Sequence, residues 1–85
     1  MAKYEVTVLP SAQKEITKLP KQAQGKILKS LISLSGNPRP TGCKKLVGTD
    51  CWRFRVGEYR IVYSIADNIL TIEIIRVAHC KDVYR

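Results

Sequence analysis

The 85-residue sequence predicts an α+β fold in which an antiparallel β-sheet carries an N-terminal helical hairpin on one face. A short alternating segment begins the chain, and two stretches with helical apolar spacing follow it. The remaining residues alternate between apolar and polar, with turn signals at short intervals. The predicted order is β-α-α-β-β-β, and residues 1–85 are expected to form a single domain.

The first half of the chain predicts one strand and two helices. Tyr4 to Val8 alternates in polarity, as a half-buried strand does, and Pro10 ends that strand so that Ser11 can cap the first helix. Apolar residues recur with the spacing of one helical face on both sides of Pro20, and the second helix is expected to end near Gly36. Almost no linker separates the two stretches, which therefore predict a helical hairpin.

The second half predicts strands joined by short turns. Gly57-Glu58 is a tight connection inside a hairpin, and Asp67-Asn68 turns the chain into the last strand. Apolar residues recur at alternate positions of the hairpin, which is typical of a sheet with one buried face. The predicted strands are residues 52–56, 59–66 and 69–77, and residues 44–47 are a candidate for a further short strand.

The most informative property of the composition is its charge. The chain has 15 Lys and Arg residues against 7 Asp and Glu residues, which gives a net charge of +8. Such a balance attracts polyanions, of which nucleic acid is the commonest, and an acidic protein is the second candidate partner. No apolar run approaches the roughly 20 residues that span a bilayer, and the N-terminus lacks the features of a signal peptide. A cytoplasmic protein is expected.

The cysteines predict neither a disulfide framework nor a metal site. Cys43, Cys51 and Cys80 are odd in number and contain no CxxC pair, so they are expected to be free thiols in a reducing compartment. A zinc site needs a fourth ligand, and the only histidine, His79, is next to Cys80 in the sequence. No metal ion and no other cofactor is expected.

The stretch CWRFRVGEYRIVY, residues 51–63, places arginines on one face of the predicted hairpin. Bulky apolar residues such as Trp52 and Phe54 occupy the core side. The opposite face then carries Arg53, Arg55 and Arg60. Three converging cations repel one another, and the two strands hold no carboxylate, which favours a bound anion over a merely solvated surface. Arginine suits phosphate because its planar fork donates two parallel hydrogen bonds.

The C-terminal residues add groups that the arginine face lacks. His79 has an imidazole, whose ordinary pKa of about 6.5 allows proton exchange near neutral pH. Tyr84 has a ring that can stack on an RNA base, and Lys81 and Arg85 are further cations. If the tail folds over the arginine face, these residues supply the proton transfers and charge stabilisation that phosphodiester cleavage needs.

Three segments resemble the RelE/ParE toxin superfamily, whose RelE branch is the closer match. They are LPKQAQ between the helices, GEYRIVY in the hairpin and IRVAHCKDVYR at the end of the chain, and the resemblance covers essentially the whole sequence. It implies the toxin of a toxin–antitoxin pair, an endoribonuclease that cuts mRNA in the ribosomal A site without a metal ion. In that family the RNA 2′-hydroxyl attacks the adjacent phosphate, translation is inhibited, and a RelB-like antitoxin blocks the toxin by wrapping it.

The resemblance also implies roles for individual residues. Arg60 is expected to contact the scissile phosphate, and Tyr84 is expected to stack on the substrate base. Lys45, in KKLVG, matches a basic position of the family before the hairpin. The predicted catalytic residues are Arg55, Arg60, His79 and Tyr84, and the predicted RNA-binding residues are Lys45, Arg53, Lys81 and Arg85.

Two positions depart from the family pattern. Arg55 stands where relatives often have a lysine that is a candidate general base, and an arginine does not release its proton in practice. Cys80 stands where the common tail has an arginine that stabilises the transition state or acts as the acid. These departures leave His79 as the predicted proton-transfer group, with Lys81 as a substitute cation.

Three other functions remain open at this point. A ParE-like protein inhibits DNA gyrase through protein contacts and performs no nuclease chemistry. A toxin weakened by Cys80 acts chiefly as an antitoxin-bound corepressor. A basic RNA-binding module without catalysis also fits the charge.

Overall fold

A computed structural model describes residues 3–79 of the chain. The strands are β1 (Glu5–Val8), β2 (Lys44–Lys45), β3 (Cys51–Val56), β4 (Tyr59–Ala66) and β5 (Thr71–His79), and the helices are α1 (Pro10–Thr17) and α2 (Lys21–Gly36). The predicted α+β class and the helical hairpin are therefore confirmed, and the short strand β2 is an addition to the predicted order β-α-α-β-β-β. No helix in this part of the chain is long and apolar enough to cross a membrane.

The five strands form one sheet in the order β1-β5-β4-β3-β2. The three pairs among β2, β3, β4 and β5 are antiparallel, as predicted, but β1 runs parallel to β5. The sheet is consequently mixed rather than antiparallel. The helical hairpin carries the chain from β1 at one edge to β2 at the other, and the following hairpins return it to β5 beside β1.

The helices pack on one face of the sheet around an apolar core. Ile27, Leu31 and Leu34 of α2 and Ala12 of α1 are buried there. Helix α1 begins at Pro10, so Ser11 lies inside the helix and does not cap it as predicted. Proline suits the first helical position because the N–H that it lacks would have no partner within the helix there. The sheet contributes Ile61, Tyr63, Ile72, Ile74 and Val77 to the core.

A β-bulge interrupts the pairing of β5 with β4. Tyr63 pairs with Ile74 and Val62 pairs with Arg76, so Ile75 is an extra residue. Helix α1 binds the backbone here: the Ser11 hydroxyl donates to the Ile75 carbonyl (3.1 Å), and Glu15 Oε1 accepts from the Val77 N–H (2.9 Å). An extra residue reverses the face to which every later side chain of the strand projects. The bulge therefore determines which face of the sheet carries each side chain at the end of β5.

An ion pair fastens the loop after α2 to the far end of the sheet. The Arg39 guanidinium donates to both carboxylate oxygens of Asp67, at 3.3 and 2.9 Å, and the Tyr4 hydroxyl donates to Asp67 Oδ1 at 2.6 Å. The bonds from Arg39, followed by that from Tyr4, hold the pKa of Asp67 below its ordinary value. Stability from this pair is present above the unfolded-state pKa of Asp67 and is lost as pH falls through the lower folded-state pKa.

We therefore expect Asp67→Asn to lower the thermal unfolding midpoint at neutral pH and to lose that effect in acid. The difference from the parental chain should be constant above about pH 5 and should shrink below about pH 3.5, as the carboxylate of the parent becomes protonated. Asp50→Asn is the matched control, since Asp50 forms no ion pair within residues 3–79. A midpoint difference that persists unchanged to pH 2 contradicts the assignment.

Candidate nucleic-acid interface

The arginines of the β3–β4 hairpin lie on one face of the sheet. Arg55 is directly opposite Arg60 in the antiparallel register, and Arg53 is opposite Val62. Residues that pair across two strands project to the same side, so the three arginines share the face away from the helices. The structure therefore confirms the prediction, made from alternation, that these arginines share one face of the sheet.

These arginines line a concavity of about 260 Å³. The volume is below the roughly 300–1,000 Å³ of pockets that enclose drug-sized ligands, and it suits a compact group such as a phosphodiester. We call this concavity the arginine site. The residues that line it are Gly42, Lys44, Arg53, Arg55 and Arg60, with no carboxylate among them.

Arg60 and Arg55 differ in how the fold holds them. Arg60, on the central strand β4, is only 6% exposed, and its partner on β5 is the buried Ala78. A cation in such a poorly hydrated position acts more strongly on a neighbouring anion than one in water. Arg55 is exposed, and its Nε donates to the Gly57 carbonyl at 2.9 Å, which orients the guanidinium. The site thus has a buried cation at its floor and an oriented one at its rim.

The lysine at this site is Lys44 and not the predicted Lys45. In the β2–β3 register Lys44 is opposite Arg53, whereas Lys45 is opposite Trp52 and faces the other way. The pairing follows from the turn before β3, where the Leu46 N–H donates to the Cys51 carbonyl at 2.9 Å. Only this strand register identifies Lys44, because two consecutive lysines in a sequence do not show which of them faces the site.

The structure does not bring His79 to the arginine site. His79 pairs with Tyr59, one residue away from the Arg60–Ala78 pair, and therefore projects from the opposite face. Its Nε2 lies 3.4 Å from Glu58 Oε2, and its ring meets the Tyr59 ring edge-on at 5.4 Å. The predicted proton-transfer role of His79 has no support from this geometry, because the bulge in β5 turns the side chain away.

Three other predicted site residues, Lys81, Tyr84 and Arg85, lie outside the described part of the chain, and so does Cys80. Within residues 3–79, no cluster of three His, Cys, Asp or Glu side chains is arranged to hold a metal ion.

An apolar groove lies on the helix side, away from the arginine site. It has a volume of about 410 Å³ and runs between β1 and α2. Two large apolar side chains there are strongly exposed, Ile32 at 73% and Leu28 at 51%. Its lining, which we call the β1–α2 groove, consists of Tyr4, Val6, Val8, Leu28, Leu31, Ile32 and Ser35.

The sequence and the fold are similar to those of known toxins. A family described as the ParE toxin of the type II toxin–antitoxin system parDE matches residues 6–84. Toxin RelG of Mycobacterium tuberculosis is 33% identical over 86 residues, covering 96% of this chain and 97% of that protein.

Two solved complexes contain chains with the same fold. In the toxin–antitoxin complex RelBE2 of Mycobacterium tuberculosis, the matching chain has a TM-score of 0.83 and 29% identity, with 91% of this chain and 98% of that chain covered. In the archaeal RelE–RelB complex of Pyrococcus horikoshii, the TM-score is also 0.83 and the identity 29%, with 93% and 96% covered.

Proposed function

This chain belongs to the ParE toxin family of type II toxin–antitoxin systems, and from that premise we propose that it is a RelE-like endoribonuclease that cuts mRNA. The observation that carries the proposal is the arginine site, where four cationic side chains and no carboxylate line one small concavity. A phosphodiester is the anion that fits its size and fork geometry. The proposed substrate is mRNA in the ribosomal A site, and the proposed location is the cytoplasm.

The chemistry that fits this site is transfer of the phosphate to the neighbouring ribose oxygen. The RNA 2′-hydroxyl attacks the adjacent phosphorus, and the bond to the 5′-oxygen of the next nucleotide breaks. Negative charge grows on the non-bridging oxygens as the phosphorus becomes five-coordinate. Arg60 at the floor and Arg55 at the rim are placed to bind those oxygens, and pre-oriented donors act most strongly where charge develops. No metal ion is required in this scheme.

Proton transfer needs a group other than the three arginines. Arginine does not release its proton in practice, so these side chains hold the phosphate and stabilise charge. Among the lining residues that the structure describes, Lys44 is the one cation whose chemistry allows proton exchange. The terminal segment supplies Lys81 as a substitute cation and Tyr84 for stacking on the base. His79 remains a candidate only if the end of β5 rearranges when RNA binds.

We propose a RelB-like antitoxin as the protein partner. The two solved relatives are complexes of such toxins with their antitoxins. On this chain the β1–α2 groove offers a suitable surface, since it combines exposed apolar side chains with an edge strand. A segment that places apolar residues in the groove and acidic residues around it complements a toxin of net charge +8.

Gyrase inhibition is the second candidate, because the matching family is named for ParE. The arginine site favours RNA, since inhibition through protein contacts gives no reason for a buried cation beneath a small concavity lined by cations. A corepressor with weak nuclease activity, the third candidate, differs from the proposal only in the rate of cleavage.

Pulse labelling after induction of the chain separates these functions. The proposal predicts that incorporation of labelled amino acids falls within minutes while thymidine incorporation continues, because mRNA is destroyed first. A gyrase inhibitor gives the reverse order and induces the DNA-damage response. An uninduced culture and a culture that expresses the antitoxin as well are the controls. Loss of DNA synthesis ahead of protein synthesis contradicts the proposal.

A further inference from the structure

We infer that Arg39 is a positioning residue for the arginine site, although it does not line that site. Arg39 lies in the loop that joins α2 to β2, and this loop leads directly to Gly42 and Lys44. The inference rests on the proposed function, because it concerns how the chain presents Lys44 to RNA. We call the contacts of Arg39 with Asp67 and Trp52 the loop clamp.

The loop clamp connects the loop to two separate strand ends. The guanidinium of Arg39 binds both oxygens of Asp67, which is in the turn after β4. Its central carbon also lies 5.1 Å from the centre of the Trp52 ring, on β3. A planar guanidinium that forms a two-bond ion pair and stacks on an indole has little freedom to rotate. Residue 39 is therefore fixed relative to the sheet.

A second contact, next to Arg39 in the loop, reinforces this attachment. The hydroxyl of the buried Tyr63 donates to the Pro38 carbonyl at 2.8 Å. Burial raises the pKa of the Tyr63 phenol, so the hydroxyl stays protonated and keeps donating. Two consecutive loop residues are thus held by side chains of the central sheet and its adjoining turn.

The segment beyond the clamp is attached to the sheet by Cys43, whose side chain interacts with the Tyr63 hydroxyl, and by a few backbone hydrogen bonds. A turn closed by the Cys43 N–H and the Pro40 carbonyl, at 3.1 Å, leads into β2, and Gly42 has a φ of 95°. Strand β2 is only two residues long, at the edge of the sheet. The exposed Lys44 is therefore held by the clamp and the Cys43–Tyr63 contact on one side, and by two cross-strand pairs on the other. Loosening the clamp should let Lys44 move away from Arg53.

General electrostatics predicts the opposite result for one substitution, which makes the inference testable. Asp67→Asn removes a negative charge, so a polyanion should bind more tightly if only net charge matters. If the clamp positions Lys44, the same substitution should weaken binding instead. Arg39→Lys provides a second variant, which keeps the net charge but removes the planar fork.

The experiment measures binding of a single-stranded 2′-O-methyl oligoribonucleotide, which lacks the attacking hydroxyl, by fluorescence anisotropy at several salt concentrations. The slope of log affinity against log salt reports the phosphate contacts, at about 0.7 for each in a single strand. The variants are Lys44→Gln, Asp67→Asn, Arg39→Lys and the double variant Lys44→Gln/Asp67→Asn. Lys45→Gln and Arg76→Gln are the controls, each removing one positive charge outside the arginine site. Emission of Trp52, the only tryptophan, reports the clamp itself.

The inference predicts that Lys44→Gln, Asp67→Asn and Arg39→Lys each reduce the slope by up to about 0.7. The double variant should lose no more than Lys44→Gln alone, and neither control should reduce the slope by as much. An unchanged or tighter affinity of Asp67→Asn, or additive losses in the double variant, overturns the inference while leaving the proposed function intact. A parental chain that does not bind the oligonucleotide overturns both. Circular dichroism establishes whether each variant is folded. If Asp67→Asn is not folded, the salt slope of Arg39→Lys tests the inference in its place.

Discussion

Arg60→Gln is expected to lower the maximal rate of mRNA cleavage by about 10²–10³-fold, the usual effect of removing one pre-oriented donor from a charge-stabilising site. Arg60 is the buried cation at the floor of the arginine site, on the central strand of the sheet. Its contribution should be larger in the transition state than in the bound substrate, because negative charge on the phosphate oxygens increases during the reaction. The effect should therefore appear in kcat more than in KM.

Two companion variants make the Arg60 result specific. Arg60→Lys keeps the charge and tests the fork, so we expect a smaller but clear loss of rate. Arg76→Gln is the control for net charge, since Arg76 is mostly exposed, pairs with Glu15 and does not line the site. Cleavage is followed by primer extension on ribosome-bound mRNA, with circular dichroism to establish folding. If folded Arg60→Gln and Arg76→Gln both cleave at the parental rate, the arginine site is not the catalytic site.

Ile32→Glu is expected to weaken binding of the cognate antitoxin by at least about 100-fold, which corresponds to roughly 2.7 kcal/mol. A carboxylate at this position must either stay hydrated, which keeps the partner out of the groove, or be buried without a counter-charge. Both alternatives reduce the free energy of binding. Ile32 is 73% exposed on α2, so the free toxin should fold normally. Leu28→Glu, one turn earlier in the same groove, should act in the same way.

The matched control for the groove is Ser33→Glu, which places the same charge on the neighbouring exposed position of α2 but outside the groove lining. Affinity for the antitoxin is measured by calorimetry, and rescue of growth by co-expressed antitoxin is the cellular readout. The groove variants should remain toxic in the presence of antitoxin, whereas Ser33→Glu should be neutralised. If the antitoxin neutralises all three variants equally, it docks on another surface.

Alternation along the chain was sufficient to predict the hairpin and the facing of its arginines. The tight turn at Gly57 leaves one possible close pairing, so Arg55 and Arg60 are opposite each other and Arg53 follows on the same side. The helical hairpin was equally predictable, because Pro20 separates two stretches with helical spacing. In both cases the determining interactions are local in sequence.

Features set by contacts distant in sequence were not predictable in the same way. A strand pattern does not show its neighbour, so the parallel pairing of β1 with β5 was missed. The facing of His79 depends on the extra residue Ile75, whose carbonyl accepts a hydrogen bond from Ser11 of α1. Glu15 of the same helix accepts from the Val77 N–H, two residues further along β5. The adjacent apolar residues Ile74 and Ile75 are the one local sign that the alternation breaks there.

The assignment of proton transfer changes as a result. The sequence predicts that His79 transfers protons, whereas the structure places Lys44 with the arginines and directs the His79 side chain toward Glu58. Under the proposed function, the arginines of this site bind and polarise the phosphate, and Lys44 together with the residues after 79 provides the remaining candidates for moving protons.

The central claim is that the arginine site presents RNA for cleavage by its own 2′-hydroxyl. The most direct test gives the purified chain ribosome-bound mRNA in which one nucleotide, at the mapped cut, carries 2′-deoxyribose. The account predicts that the parental chain cuts the all-ribose message, leaves the substituted position intact, and loses its activity with Arg60→Gln. Cleavage at the deoxy position at the normal rate, or no cleavage of either message, would contradict it.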